Sequence, residues 1–479
     1  MTSTPASRRA FLRASAGLAA AAAHPLGPRF CLPLAMNLAG LGALASQQAH
    51  AATTSDGYKA LVCLYMAGGN DAHNWLIPTD SSNRASYAAA RAELAWPAGK
   101  VQGITSSNQG SGRSFGMPLE LAPLRTWYEN GQCAMVANVG TLEKPVTKAD
   151  FQAGLSLPSK LFSHNDQQAN WQSLQPEGAP TGWGGRMGDV LMAANQQPVF
   201  TAVSAAGNAI FLSGNGVNQY QVSSSGPVPI NAAQAGWHAG STQVPGALRA
   251  MLAGSAGNGF EAEYLKVVRR ALDTTSTLQT ALGATSVAAL PASAITLPDG
   301  TALALNNDAL AKQLRIVAQM IAAGPGLGMK RQVFLVSIGG FDSHANQMRD
   351  QPLLMARVAQ SVNWFLSALQ GAGLLNNVLL FSASDFGRTL ASNGAGSDHG
   401  WGSHHFVAGG AVKGRSIYGR MPITALGTDD DVGSGRLLPS TSVTEYAATL
   451  GRWMGLSTSE LATVLPGLSR FATPNLGFV

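Results

Sequence analysis

Four runs of the chain are apolar at nearly every residue and then stop abruptly on Gly, Ser or Asp. They are KALVCLYM (Lys59–Met66), CAMVANVG (Cys133–Gly140), RQVFLVSIGG (331–340) and NVLLFSASD (377–385). A strand with one wet face alternates apolar and polar residues, whereas a strand covered on both faces does not. PVFTAVS (198–204) and HFVAGGAV (405–412) extend the series. Helical patterns fall between these runs, in residues 259–282, 308–324 and 441–456, and at Val358, Val362, Phe365, Leu366 and Leu369. Strands alternating with helices predict an α/β fold, a three-layer sandwich around a central, mostly parallel sheet. A content of 46% hydrophobic residues over 479 positions supplies the core such a sandwich needs. Two stretches rich in Gly, Ser and Pro, near 213–240 and 284–306, are expected as loop insertions in a single domain spanning 52–479.

Residues 1–51 are expected to be a cleaved twin-arginine signal. SRRAFLR precedes the short apolar run ASAGLAAAAA, and AHA at 49–51 suits cleavage. His24, Pro25, Pro28 and Arg29 interrupt the segment, which argues against a membrane span. Four of the 31 basic residues lie here and none of the 25 acidic ones, so the remainder carries only +2. That near-neutrality leaves no electrostatic footprint for nucleic acid. The expected location is periplasmic or extracellular, with the twin-arginine translocon as a transient partner and no stable membrane span afterwards. Cys63 and Cys133 are expected to be buried thiols, with an envelope disulfide as the alternative.

Six of the seven histidines beyond residue 51 fall in four polar motifs. GGNDAHN (68–74) follows the first strand and offers Asp71 as a hard ligand, or merely as a turn residue. LFSHNDQQANW (161–171) places Ser163 and His164 at a helix start. There Ser163 is a helix cap or a nucleophile beside the positive end of the helix dipole. GGFDSHANQ (339–347) sets Asp342, His344 and Asn346 at alternate positions, which share a face if extended. SASDFGRTLASNGAGSDHGWGSHH (382–405) supplies Asp385, Arg388, Asp398, His399, His404 and His405 on a glycine-rich loop. Such Asp-His and His-His pairs suit a metal site or a proton-transfer site, with an unmetallated hydrogen-bond network as the other reading.

Together these motifs resemble the bacterial export-linked family of domain of unknown function 1501 (DUF1501), grouped with the alkaline phosphatase–sulfatase superfamily. The resemblance implies a ligand set drawn from Asp71, Asp342, His344, Asp385, His399 and His404. It also implies Ser163 as nucleophile, with His164 and Arg388 beside it. The implied cofactor is one or two divalent ions, zinc preferred by the His/Asp mix, with calcium or manganese as alternatives. The implied activity is hydrolysis of a small anionic phosphate or sulfate ester. Two departures stand out: Asp342 and His344 are two residues apart where the superfamily has four, and Phe386 stands where a second ligand is usual. They support a competing expectation, a catalytically inactive secreted binding or assembly protein with an envelope partner.

Overall fold

The computed structural model describes residues 57–479 except Ala235 and Ala256, so the twin-arginine segment lies outside the described residues. The strands of the main sheet are β1 (Lys59–Met66), β2 (Cys133–Gly140), β3 (Ala202–Ser204), β4 (Tyr220–Ser223), β5 (Gly226–Pro227), β6 (Arg331–Ile338), β7 (Val378–Ser384), β8 (Ser403–Ala408), β9 (Ile417–Tyr418) and β10 (Thr441–Ser442). The helices that matter here are α1 (Ser81–Arg91), α2 (His164–Ser173), α3 (Trp183–Leu191), α4 (Gly259–Gly283), α5 (Ala309–Ala323), α6 (Gln347–Gly371) and α7 (Val443–Met454).

The strand order is β9–β2–β8–β7–β1–β6–β3–β4–β5, with β10 also paired to β2. Alternation along β1 explains its unbroken apolarity. Ala60, Val62, Leu64 and Met66 enter one core with α5 and α6, while Leu61, Cys63 and Tyr65 enter a second core with α3 and α7. Helices therefore cover both faces, and the molecule is a three-layer α/β sandwich. The caps follow sequence chemistry. Asp308 accepts the Ala311 N–H at the start of α5, and Ser442 with Glu445 forms a capping box on α7. Cys63 and Cys133 are both buried and free.

Three expectations are corrected. The strand at 198–204 is shortened to β3, because Pro198–Phe200 forms a single 3-10 turn. The strand expected at 405–412 begins at Ser403 and runs antiparallel to both its neighbours. Residues 385–402 stay at the carboxyl end of the sheet, so the chain must run back from there; a parallel strand would need a crossover to the other end. His404 consequently lies in the strand beside His405, not in the flexible loop its glycine-rich surroundings suggested.

The central strands end level. Met66 pairs with Ile338 on one side and Ser384 on the other. The segments after β1, β6 and β7 are thus brought together at one edge, where open α/β sheets bind ligands. They touch through main chain. A Cβ at Gly68 would lie 2.4 Å from the Asp342 nitrogen, and one at Gly396 would lie 2.1 Å from the Ser343 oxygen.

Candidate metal centre

Asp342, in the segment after β6, is the hub of this edge. Its Oδ1 accepts from Arg388 Nη1 at 2.6 Å and lies 3.1 Å from His344 Nε2 and 3.2 Å from His399 Nε2. Its Oδ2 lies 3.4 Å from His164 Nε2. Partial burial opposes ionisation of Asp342. The Arg388 hydrogen bond and charge, with His344 and His164, outweigh it and hold the carboxyl below its ordinary range.

Each of the three imidazoles is anchored through Nδ1. His164, the first residue of α2, has Nδ1 2.7 Å from Asp385 Oδ2. His344 has Nδ1 3.1 Å from Asp398 Oδ1. His399 has Nδ1 2.7 Å from the Phe162 carbonyl, which can only accept. Such contacts place the proton on Nδ1 and leave Nε2 as the lone-pair atom, the arrangement found in metal-ligating histidines. The Asp385 bond raises the His164 pKa against the effect of burial. Burial lowers that of His399.

The donor set fits a metal ion. One ligand atom each from His164, Asp342 and His399 lies within 4.8 Å of the others. His164 Nε2 is buried and lacks a hydrogen-bond partner. His344 Nε2 is a further 2.9 Å from His399 Nε2, a separation that needs a shared proton or cation. Phe386 closes one side of the cluster. Its buried ring lies 4.8 Å from that of His164 and 4.7 Å from that of His399.

Other residues named from the sequence stand around this cluster or away from it. Asp385 is fully buried and has both oxygens engaged, Oδ1 by the Gly68 N–H and Oδ2 by His164 and Gln168. Arg388 is also fully buried; besides Asp342 it donates to the carbonyls of Gly68 and Ser397. Ser163 occupies the N-cap of α2 but makes no side-chain cap bond, and its hydroxyl donates instead to Asp166 Oδ2 at 2.8 Å. Asn346 begins α6 with φ 55° and no cap bond.

Asp71 is not brought to the cluster. It is buried in an ion pair with Arg91 of α1, and Gln347 and the His73 N–H also donate to it. His404 is not brought there either. It is buried in β8, accepts the Asn138 N–H on Nδ1 at 3.0 Å, and is held neutral by burial, with its pKa lowered to about 3. His405, on the opposite face of the strand, is likewise lowered to about 3 by burial. His73 is lowered to about 4, chiefly by burial. Sequence reasoning missed the groups that orient the cluster: the Phe162 carbonyl, Gln168, and Asp398 as the His344 partner. Gln168, one helical turn after His164, could have been read from the i, i+4 spacing.

The chain belongs to the family described as protein of unknown function (DUF1501), whose model matches residues 58–468. No curated protein matches it. Among solved structures, Ps i-CgsB is similar at 11% identity and a TM-score of 0.35, covering 88% of this chain and 78% of that one. A phosphonate monoester hydrolase from Silicibacter pomeroyi is similar at 9% identity and a TM-score of 0.32, covering 83% and 74%. Among the described residues, no helix is long and apolar enough to cross a membrane.

Proposed function

We propose that this chain is an exported, metal-dependent hydrolase of phosphate or sulfate esters. The observation that carries the reading is the convergence of imidazole Nε2 atoms on one carboxylate, with the buried His164 Nε2 left without a hydrogen-bond partner 3.4 Å from Asp342. His164, Asp342 and His399 would hold a single divalent ion, with His344 alongside. Nitrogen donors favour zinc or another transition metal over calcium, which prefers oxygen ligands. A bound ion would supply Lewis-acid stabilisation of charge on the transferring group.

The chain's own residues have distinct tasks in this reading. Arg388 keeps Asp342 ionised and oriented, rather than gripping substrate oxygens. Asp385, Asp398 and the Phe162 carbonyl fix the imidazoles. Phe386 excludes water from one side. Ser163, with its proton directed to Asp166 and its lone pairs free of the helix cap, is the candidate nucleophile, with a water as the alternative attacking group. Export rests on the twin-arginine segment.

The Asp71–Arg91 pair and the Phe386 ring favour a second reading. They occupy positions where a second ion would be expected, so the scaffold could serve as a binding or assembly protein without turnover. Metal content and turnover of aryl phosphates and aryl sulfates, with added Zn²⁺, Mn²⁺ or Ca²⁺, separate the two. A hydrolase shows bound metal and turnover that both vanish in Asp342→Asn. A protein that takes up no metal and turns over neither ester defeats the proposal.

A further inference from the structure

The cluster is gripped by a loop, residues 427–436, that contributes none of its ligands. Phe162 is a bulky residue at φ 71°, a left-handed conformation that non-glycine residues seldom adopt. Strained backbone of this kind persists only where surrounding contacts impose it. Here the turn aims the Phe162 carbonyl at His399 Nδ1, 2.7 Å away. The Arg436 guanidinium lies over the Phe162 ring, 5.1 Å from its centroid. The same guanidinium donates through Nε to the His399 carbonyl at 2.8 Å. One cation therefore touches both the residue that fixes the imidazole and the main chain that carries it.

The Arg436 loop is itself organised in advance. Asp431 accepts the N–H groups of Gly427, Gly433 and Gly435 at 2.8, 2.7 and 2.7 Å. Arg436 Nη1 donates to the Gly433 carbonyl. The loop also accepts the Leu390 and Ala391 N–H groups at the Gly435 and Ser434 carbonyls. It is thereby tied to the stretch that leads from Arg388 to His399.

We propose that Arg436, through Phe162, is a positioning residue that fixes the His399 tautomer and presents its Nε2 as a lone pair to the metal. This rests on the metal reading above. Partners that orient a ligating histidine typically change metal affinity by about 10–100-fold when removed. Arg436→Ala is expected to weaken Zn²⁺ or Co²⁺ binding by about that factor. Arg436→Lys, which keeps the charge but loses the planar stack, should fall between the two.

The test is competition of the protein with a chromogenic chelator for Zn²⁺ and Co²⁺, in wild type, Arg436→Ala and Arg436→Lys. Thermal melts of the metal-free forms verify folding. The imidazole ¹H–¹⁵N spectrum of metal-free protein supplies a second measurement. His399 should be the Nδ1–H tautomer in wild type and a mixture in Arg436→Ala. Unchanged affinity together with an unchanged tautomer, in a folded Arg436→Ala, overturns the proposal. A wild type that binds no metal defeats the hydrolase reading instead, and the tautomer then decides the role of Arg436 alone.

Discussion

Asp71 is the residue whose role sequence and structure divide most sharply, and replacing it by Asn tests the division. The exchange keeps the shape and removes the charge. Arg91 is then left fully buried, with only the Thr389 and Leu390 carbonyls at 3.1 and 3.3 Å to receive Nη1. Breaking a buried ion pair by deleting one partner costs about 3–5 kcal/mol, because the other charge is stranded. Gln347 also loses a charged acceptor. With an unfolding entropy of ~2.1 cal/mol/K per residue, a domain of this size has ~0.9 kcal/mol/K, so a loss of ~4 kcal/mol lowers Tm by roughly 4–5 °C. The assay is calorimetry on the metal-free protein, paired with metal content. Asp71→Asn should lose stability and keep its metal, and the apolar pair Asp71→Leu with Arg91→Met should recover much of the loss. The reasoning fails if Asp71→Asn melts within about 1 °C of wild type yet no longer binds metal, which would make Asp71 a ligand after all.

Phe386→Ala should destabilise by about 3–5 kcal/mol, as large-to-small changes at buried aromatics do, measured by denaturant unfolding; a change below about 1 kcal/mol would mean the ring does not pack as described. Acid should destabilise the protein well above the range of its carboxylates. Unfolded imidazoles protonate near 6.5, while His73 resists to about 4 and His404 and His405 to about 3, so the unfolded state binds more protons in this window. Their contribution is complete above pH 6.5 and falls by about 1.4 kcal/mol per group for each pH unit below it. His164 has the opposite sign. Its raised pKa gives a contribution that is present below 6.5 and lost as pH rises through the raised value, but it is one group against four, since burial lowers His399 as well. Unfolding midpoints at pH 7.5, 6 and 5 measure the net effect, and a flat profile contradicts the buried-histidine account.

What could be read from the sequence was whatever burial on two faces writes locally. β1, β2, β6 and β7 announce themselves because neither side of those strands meets water. The direction of β8 does not, since a strand's polarity depends on where the preceding loop leaves it. The four histidine motifs were visible, and three of their imidazoles, those of His164, His344 and His399, meet at Asp342. His73, His404 and His405 go into the core instead. Nothing in the string HH states that one side chain will point to each face of a sheet. Asp71 and Asp342 follow strands in much the same way. The difference between them is made by Arg91 in the last turn of α1, a partner that the local motif does not contain.

The contact of Gly68 with the Asp342 segment, and of Gly396 with that of Ser343, has a consequence for how this edge can change. Where one backbone rests directly on another, no side chain is available as an adjustable spacer. A lengthened loop after β1 would displace Asp342 and, through it, Arg388 and three histidines. Asn393 is exposed yet helps hold the edge, donating to Asp398 Oδ1 and to the His344 carbonyl, so variation is channelled outward to exposed positions such as Lys160 and Asn346. A library randomised at Lys160 and Asn346 should yield mostly folded variants with altered ligand preference, whereas one built on loop length should yield few that fold.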